Sequence, residues 1–318
     1  MFTLKPTDRP VAAMFGDQID NQRIYLDREE EIDEDEIDVE SKWDIIRNAI
    51  KYVKKYKTMQ KKDEDEIARC IFEKEYPKPS LQNVYQECLK YVKRQQGKDL
   101  YGASSKFVPL ILPEKNETQM NVYNVSGNSG SGKSTFANMC LREVIKYFPN
   151  CKIYVFSRKN EDKSLDDGLE DNIVRIPCDD SFLEQELTPE DLKGSKTCPA
   201  YIVMDDYERI ANPDVKNAVE KFLFTGIEIA RQFNQHYIII RHEIKNGRKS
   251  RIVNSETTHM VVFPGATPRQ QLTDFLKSGL GLSPSQINNI LKLPSRWVVV
   301  SKRIPQYVIY ERGAYILN

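Results

Sequence analysis

Gly127, Asn128, Ser129, Gly130, Ser131, Gly132, Lys133 and Ser134 satisfy the spacing glycine, four residues, then Gly-Lys-Ser. That combination makes a phosphate cradle. Glycines let a loop pass through positive φ, so that successive backbone N–H groups turn toward a polyphosphate. A helix opening at the end of the loop, where Thr135 follows, presents its positive terminus to the same charge. Lys133 would reach the β- and γ-phosphates as a point charge, and the Ser134 hydroxyl would ligate Mg²⁺, so ATP and Mg²⁺ are the expected ligands. A surface loop that happens to contain Gly-Lys-Ser is the plain alternative, and the flanking sequence separates the two. Residues 120–125 alternate in the manner of a strand, whereas Phe136, Met139, Leu141, Val144 and Ile145 recur at helical spacing.

The second chemical feature is carboxylic. Residues 201–204 are apolar and run into Asp205 and Asp206. At the end of a buried strand, Asp205 would hold the metal through water and Asp206 would polarise an attacking water, with Glu208 a weaker candidate base. An acidic turn after an ordinary strand is the bland reading of the same residues.

The elements that must position these groups belong to an α/β pattern. From residue 106 onward, expected strands at 107–112, 120–125, 152–156, 173–176, 201–204, 237–240 and 260–263 alternate with helices at 135–147 and 213–233. Further helices are expected near 268–277 and 284–291, and a final strand pair at 296–300 and 307–310. The fold class is a P-loop NTPase with a mainly parallel central sheet flanked by helices, preceded by an acidic, helical N-terminal region. Residues 1–105 read as that extension or a small module, and 106–318 as the ATPase domain. Within the extension, residues 27–40 are almost wholly acidic, the pattern of a solvated surface segment, with an interaction tail or a mimic of nucleic-acid charge as the functional alternative. Trp43, Ile46, Ile50 and Val53 then start an apolar helix face, and further helices are expected at 64–75 and 80–95.

Lys and Arg balance Asp and Glu at 47 each, so any basic surface must be local. The six cysteines form no Cys-x-x-Cys pair and suit reduced thiols. No apolar run approaches the roughly 20 residues of a membrane span, and an intracellular location is expected.

The order of P-loop, strand ending in Asp205-Asp206, helix, and then Ala230-Arg231-Gln232-Phe233-Asn234 before an apolar strand resembles the FtsK/HerA superfamily of DNA-pumping ATPases. Within it, the chain is similar to the genome-packaging ATPases of large double-stranded DNA viruses, the poxvirus-like and mimivirus-like group. The resemblance covers residues 106–310 and implies a homo-oligomeric ring acting on double-stranded DNA, with capsid or other virion-assembly partners. It places the protein in host cytoplasm at the site of virion assembly, or carried in the virion. It also implies that Arg231 acts in trans on a neighbouring subunit's ATP, although an arginine there equally complements a helix dipole. His242 takes the place of the polar sensor, often Gln, that closes the next strand, although a satisfied histidine at a strand end is the equal alternative. The basic group Lys245, Arg248, Lys249 and Arg251 reads as a channel-facing segment touching phosphates or as a solvated loop. Two other classes stay open on sequence: a phosphotransferase of the nucleoside or nucleotide kinase kind, and a nucleotide-switched scaffold.

Overall fold

The computed structural model describes residues 2–3, 10–16, 19–26, 46–47, 50, 106–113, 120–195, 197–242 and 247–317. The acidic run at 27–40 and the expected helices at 64–75 and 80–95 lie outside them, as does most of the helix begun by Trp43.

The largest sheet is organised by apolar strands that are covered on both faces. Its order is β13-β12-β11-β10-β5-β9-β8-β6-β7. The parallel part comprises β5 (Val122–Ser126), β6 (Ile153–Ser157), β7 (Ile173–Pro177), β8 (Ala200–Asp205), β9 (Gln235–Arg241) and β10 (His259–Val262). Strand β8 shows why continuous apolar runs were needed. Tyr201 and Val203 enter one core with Phe136, Leu141 and Val144 of α1 (Lys133–Tyr147). Ile202 and Met204, pointing the other way by the two-residue period, meet Val219, Phe222 and Leu223 of the helix at Pro213–Ile229. Two short helices, α2 (Lys163–Asp166) and α3 (Ser181–Glu184), lie between α1 and that helix, which is therefore α4.

Three strands extend the sheet in antiparallel fashion: β11 (Val298–Ser301), β12 (Tyr307–Tyr310) and β13 (Gly313–Ile316). They pack with Leu272, Phe275 and Leu276 of one helix and Ile287 and Ile290 of the next. Those helices span Arg269–Leu280 and Pro284–Leu291, the second opened by Ser283 and Gln286 in a reciprocal capping box.

Two features depart from the sequence reading. The helix Gly247–Glu256, α5, occupies the stretch expected to be a basic loop, which makes the Arg269 and Pro284 helices α6 and α7. Its anchor is Val253, fully buried, and its Asn254 side chain accepts from Asn124 of β5 at 3.1 Å. Two adjacent apolar residues, Ile252 and Val253, within a polar run are a weak periodic signal, and the packing supplies the rest. The second departure is at the start of the chain, within the acidic and helical extension expected over 1–105, where the sequence suggested no strand. Here β1 (Phe2–Thr3), β2 (Pro10–Gly16) and β3 (Ile19–Leu26) form an antiparallel sheet in the order β1-β3-β2-β4 with β4 (Lys106–Pro109). Val11, Ala12, Met14 and Ile24 join the core that holds α1.

Candidate nucleotide site

All six parallel strands end on one edge, and the chemistry expected from the sequence gathers there. Strand β5 ends at Ser126 and the chain turns through the glycine loop into α1. Gly130 and Gly132 adopt φ of 75° and 96°, the left-handed conformations that glycine supplies without steric cost. Gly127 is required for a different reason: a Cβ there would lie 2.9 Å from both Phe263 Cδ2 and Ser131 Oγ. Its N–H donates to the Arg241 carbonyl at 3.2 Å, tying the loop to the end of β9. Asn128, Ser129, Ser131, Ser134 and Thr135 fall on the loop and first helical turn as expected. Helix α1 carries no acidic residue in its first turn, so nothing there offsets its positive end.

Lys133 is buried, and its ammonium donates to the carbonyls of Gly127 at 2.8 Å and Asn128 at 2.9 Å, which stretches it across the loop. Burial lowers its pKa, and the carboxylate of Asp206 acts in the opposite sense.

The acidic pair divides into two environments. Asp205 is 3% exposed and its Oδ2 accepts from Ser157 Oγ at 2.9 Å. Burial, and then the neighbouring Asp206, raise its pKa. Asp206 follows at φ 52°, ψ 31°, a left-handed conformation that aspartate tolerates better than most residues but that still stores strain. The turn aims its carboxylate sideways, and Oδ1 lies 2.8 Å from His242 Nε2, an ion-pair separation without hydrogen-bond alignment.

The strand order explains that meeting. Strand β9 lies between β5 and β8, so its C-terminal end sits between the glycine loop and the acidic pair. His242, directly after β9, thus stands beside both the glycine loop and Asp206. Arg241, 1% exposed, points elsewhere, and its guanidinium donates to Glu208 Oε1 at 2.8 and 2.6 Å. Glu208 is thereby engaged as a charge partner, whereas Asp206 faces His242.

Ser157, Arg241 and Arg209 escaped the sequence reading. Ser157 closes the strand beside β8, and a serine ending an apolar strand was its only signal. A charge within the run Ile238 to Ile240 and onward was the signal for Arg241. Arg209 is exposed in the turn after Asp206, close enough for its charge to oppose protonation of Lys133.

The donor set suits Mg²⁺: the buried carboxylate of Asp205, whose pKa burial and Asp206 raise, and the Ser134 hydroxyl are hard oxygen ligands, and Mg²⁺ is ordinarily completed by water and phosphate. Arg231 is not at this site. It is exposed in the turn between α4 and β9, at the opposite edge of the sheet. Lys245 lies outside the described residues, and the side chains of Arg248, Lys249 and Arg251 do as well. Among the described residues, no helix is long and apolar enough to cross a membrane.

No family model matches the sequence. Among solved structures, the chain is similar to ATPases 2 and 3 of Thermomonospora curvata EccC bound to a signal-sequence peptide, at 18% identity and TM-score 0.42, over 64% of this chain and 38% of that one. It is also similar to the genome-packaging NTPase B204 of Sulfolobus turreted icosahedral virus 2 in complex with ATPγS, at 14% identity and TM-score 0.39, over 62% and 96%. The conjugation coupling protein TcpA of pCW3 aligns at 11% identity and TM-score 0.40, over 63% and 62%. A sequence relative is nearer: the uncharacterised protein V3 of Sputnik virophage is 31% identical over 231 residues, which span 71% of this chain and 89% of V3. The chain belongs to the family of that virophage protein.

Proposed function

We propose that the protein is an ATP-hydrolysing motor that translocates double-stranded DNA, packaging a viral genome into its capsid. The observation that carries the hydrolytic reading is the interposed strand β9, which brings His242 to Asp206 and ties its own end to the glycine loop. The DNA and packaging parts rest on the sequence resemblance to packaging ATPases and on kinship with a virophage protein.

In this reading the loop amides and Lys133 bind and orient the β- and γ-phosphates. Asp205, fixed by Ser157, and Ser134 would hold Mg²⁺, which when bound neutralises phosphate charge. Asp206 accepts the proton of the attacking water, and His242 holds Asp206 and the water in register. Arg231 reaches the site of an adjacent protomer in the ring and stabilises the transition state there.

Steady-state phosphate release, titrated against protein concentration and double-stranded DNA, tests the proposal. Wild-type turnover should rise with both. Asp206→Asn, which keeps a side chain tolerant of the left-handed turn, should bind nucleotide normally and lose about 10²–10⁴-fold in turnover. Flat titrations would sink the motor, and transfer of phosphate to a nucleoside or nucleotide acceptor would replace it with a phosphotransferase.

A further inference from the structure

A cavity of about 940 Å³ opens beside the glycine loop, on the side away from the acidic pair. Its apolar wall includes Phe107, Phe136 and Trp297, the last two in edge contact with ring centroids 5.2 Å apart. Its polar rim carries Arg296, Glu311 and Arg312. Three regions of the chain meet there. Phe107 comes from β4 of the N-terminal sheet, Phe136 from the first turn of α1, and the rim from the strand ends around β11, β12 and β13. The rim is constructed rather than incidental: the Arg296 N–H donates to Glu311 Oε2 at 2.9 Å, and the Phe107 N–H donates to the Glu311 carbonyl at 2.9 Å.

The polarity of the phosphate chain says what belongs there. Asp205 and Asp206 lie beyond β9 on one side of β5, so the terminal phosphate faces that side. The other end of the same ligand must leave the loop toward β10 and β11, where the cavity is. Pockets of this size, apolar with a few polar groups, suit a heteroaromatic ligand of nucleoside dimensions.

We propose that the cavity receives the nucleoside of the bound nucleotide, with the Glu311 carboxylate accepting from ribose hydroxyls and the Arg312 guanidinium covering the purine face. The inference rests on the nucleotide reading of the glycine loop. It adds that the N-terminal sheet walls the base, so that nucleotide binding clamps β4 onto the ATPase core.

Calorimetric titration of the full chain with ATP and, separately, inorganic tripolyphosphate, each with Mg²⁺, tests it. Arg312→Ala, at an exposed position, and Glu311→Ala should each weaken ATP at least tenfold while leaving tripolyphosphate unchanged. Unaltered ATP affinity in both variants would overturn the assignment, as would equal losses for the two ligands. Lys133→Ala should weaken both ligands, and if it weakens neither, the phosphate reading fails first and takes the inference with it. Hydrogen exchange at residues 106–109 gives the second readout. ATP should slow it more than tripolyphosphate does, and equal protection would refute the clamp.

Discussion

The parallel sheet buries polar side chains at both of its edges, to opposite ends. Where the strands begin, most of the polar groups close on one another, with the buried Nε2 of His236 left without a hydrogen-bond partner. The Asn121 N–H donates to His236 Nδ1 at 3.0 Å, while His259 Nε2 lies 2.8 Å from the Tyr307 hydroxyl and its Nδ1 2.9 Å from Thr258 Oγ1. Both imidazoles are stacked on tyrosines, His259 on Tyr123 at 4.4 Å and His236 on Tyr201 at 5.1 Å. Burial, with Arg303 a lesser cause, takes the His236 pKa down to about 3 and that of His259 well below its ordinary value, so these rings are neutral packing elements. Where the strands end, by contrast, Lys133, Asp205, Asp206 and His242 gather at one edge, where Asp206 Oδ1 lies 2.8 Å from His242 Nε2 and the charges of both aspartates act on Lys133. Buried polarity alone therefore does not mark a candidate site; charges of both signs gathered beside a glycine loop do.

Arg231 is the sharpest challenge to that division, because it is an exposed charge at the edge assigned to structure. Strand β9 has seven residues, which places its two ends roughly 20 Å apart, so Arg231 cannot serve its own glycine loop. If it acts on a neighbour, Arg231→Ala should cost on the order of a thousandfold or more in turnover, with nucleotide affinity kept and folding stability unchanged. Mixing the variant with Asp206→Asn protein should restore part of the activity, since each supplies what the other lacks across a subunit boundary. Turnover near the wild-type rate would remove Arg231 from catalysis and leave it as a charge at a helix end.

His259→Phe examines the structural edge. The phenyl ring keeps the stack on Tyr123 but loses the contacts to Thr258 and Tyr307. Urea denaturation should show a loss of about 1–3 kcal/mol, with turnover per folded molecule unaltered. A fall in turnover larger than the folded fraction explains would mean that this edge communicates with the nucleotide site.

The sequence made the two edges unequally legible. Gly127 to Ser134 and Asp205 with Asp206 were readable because their chemistry demands particular residues at fixed spacing, and the intervening apolar runs made the parallel strands readable too. The Ser157–Asp205 and Glu208–Arg241 contacts were not, since they join residues 48 and 33 positions apart that only strand order makes adjacent. Strands β2 and β3 were missed for another reason. Pro10, Gly16, Asp20, Asn21 and Gln22 break the two-residue apolar alternation, and the pairing itself shifts register at Met14/Gly16, as bulged strands do. Helix α5 is hard to read in sequence because Gly247 and the three basic residues Arg248, Lys249 and Arg251 mask the burial of Val253.

The smallest effect distinguishes the edges most cleanly, because it runs against intuition. Asp205 carries a pKa raised by burial and by the neighbouring Asp206. A carboxyl whose folded-state pKa exceeds its unfolded value contributes stability below the unfolded pKa and loses it as pH rises through the folded pKa. At neutral pH the charged carboxylate is therefore a net cost to the folded protein when no cation is supplied. Asp205→Asn keeps the shape and can still bond Ser157, so it should raise Tm by a few degrees at pH 7 in the absence of nucleotide and Mg²⁺, while reducing hydrolysis severely. The gain should shrink as pH is lowered toward the ordinary aspartate range, about 4. At the other edge the same logic predicts no such gain, because His236 and His259 are already neutral at pH 7. Differential scanning calorimetry of Asp205→Asn and His259→Phe across this pH range makes the comparison. A destabilised Asp205→Asn would show that Asp205 belongs to the architecture rather than to a site held at a cost in stability.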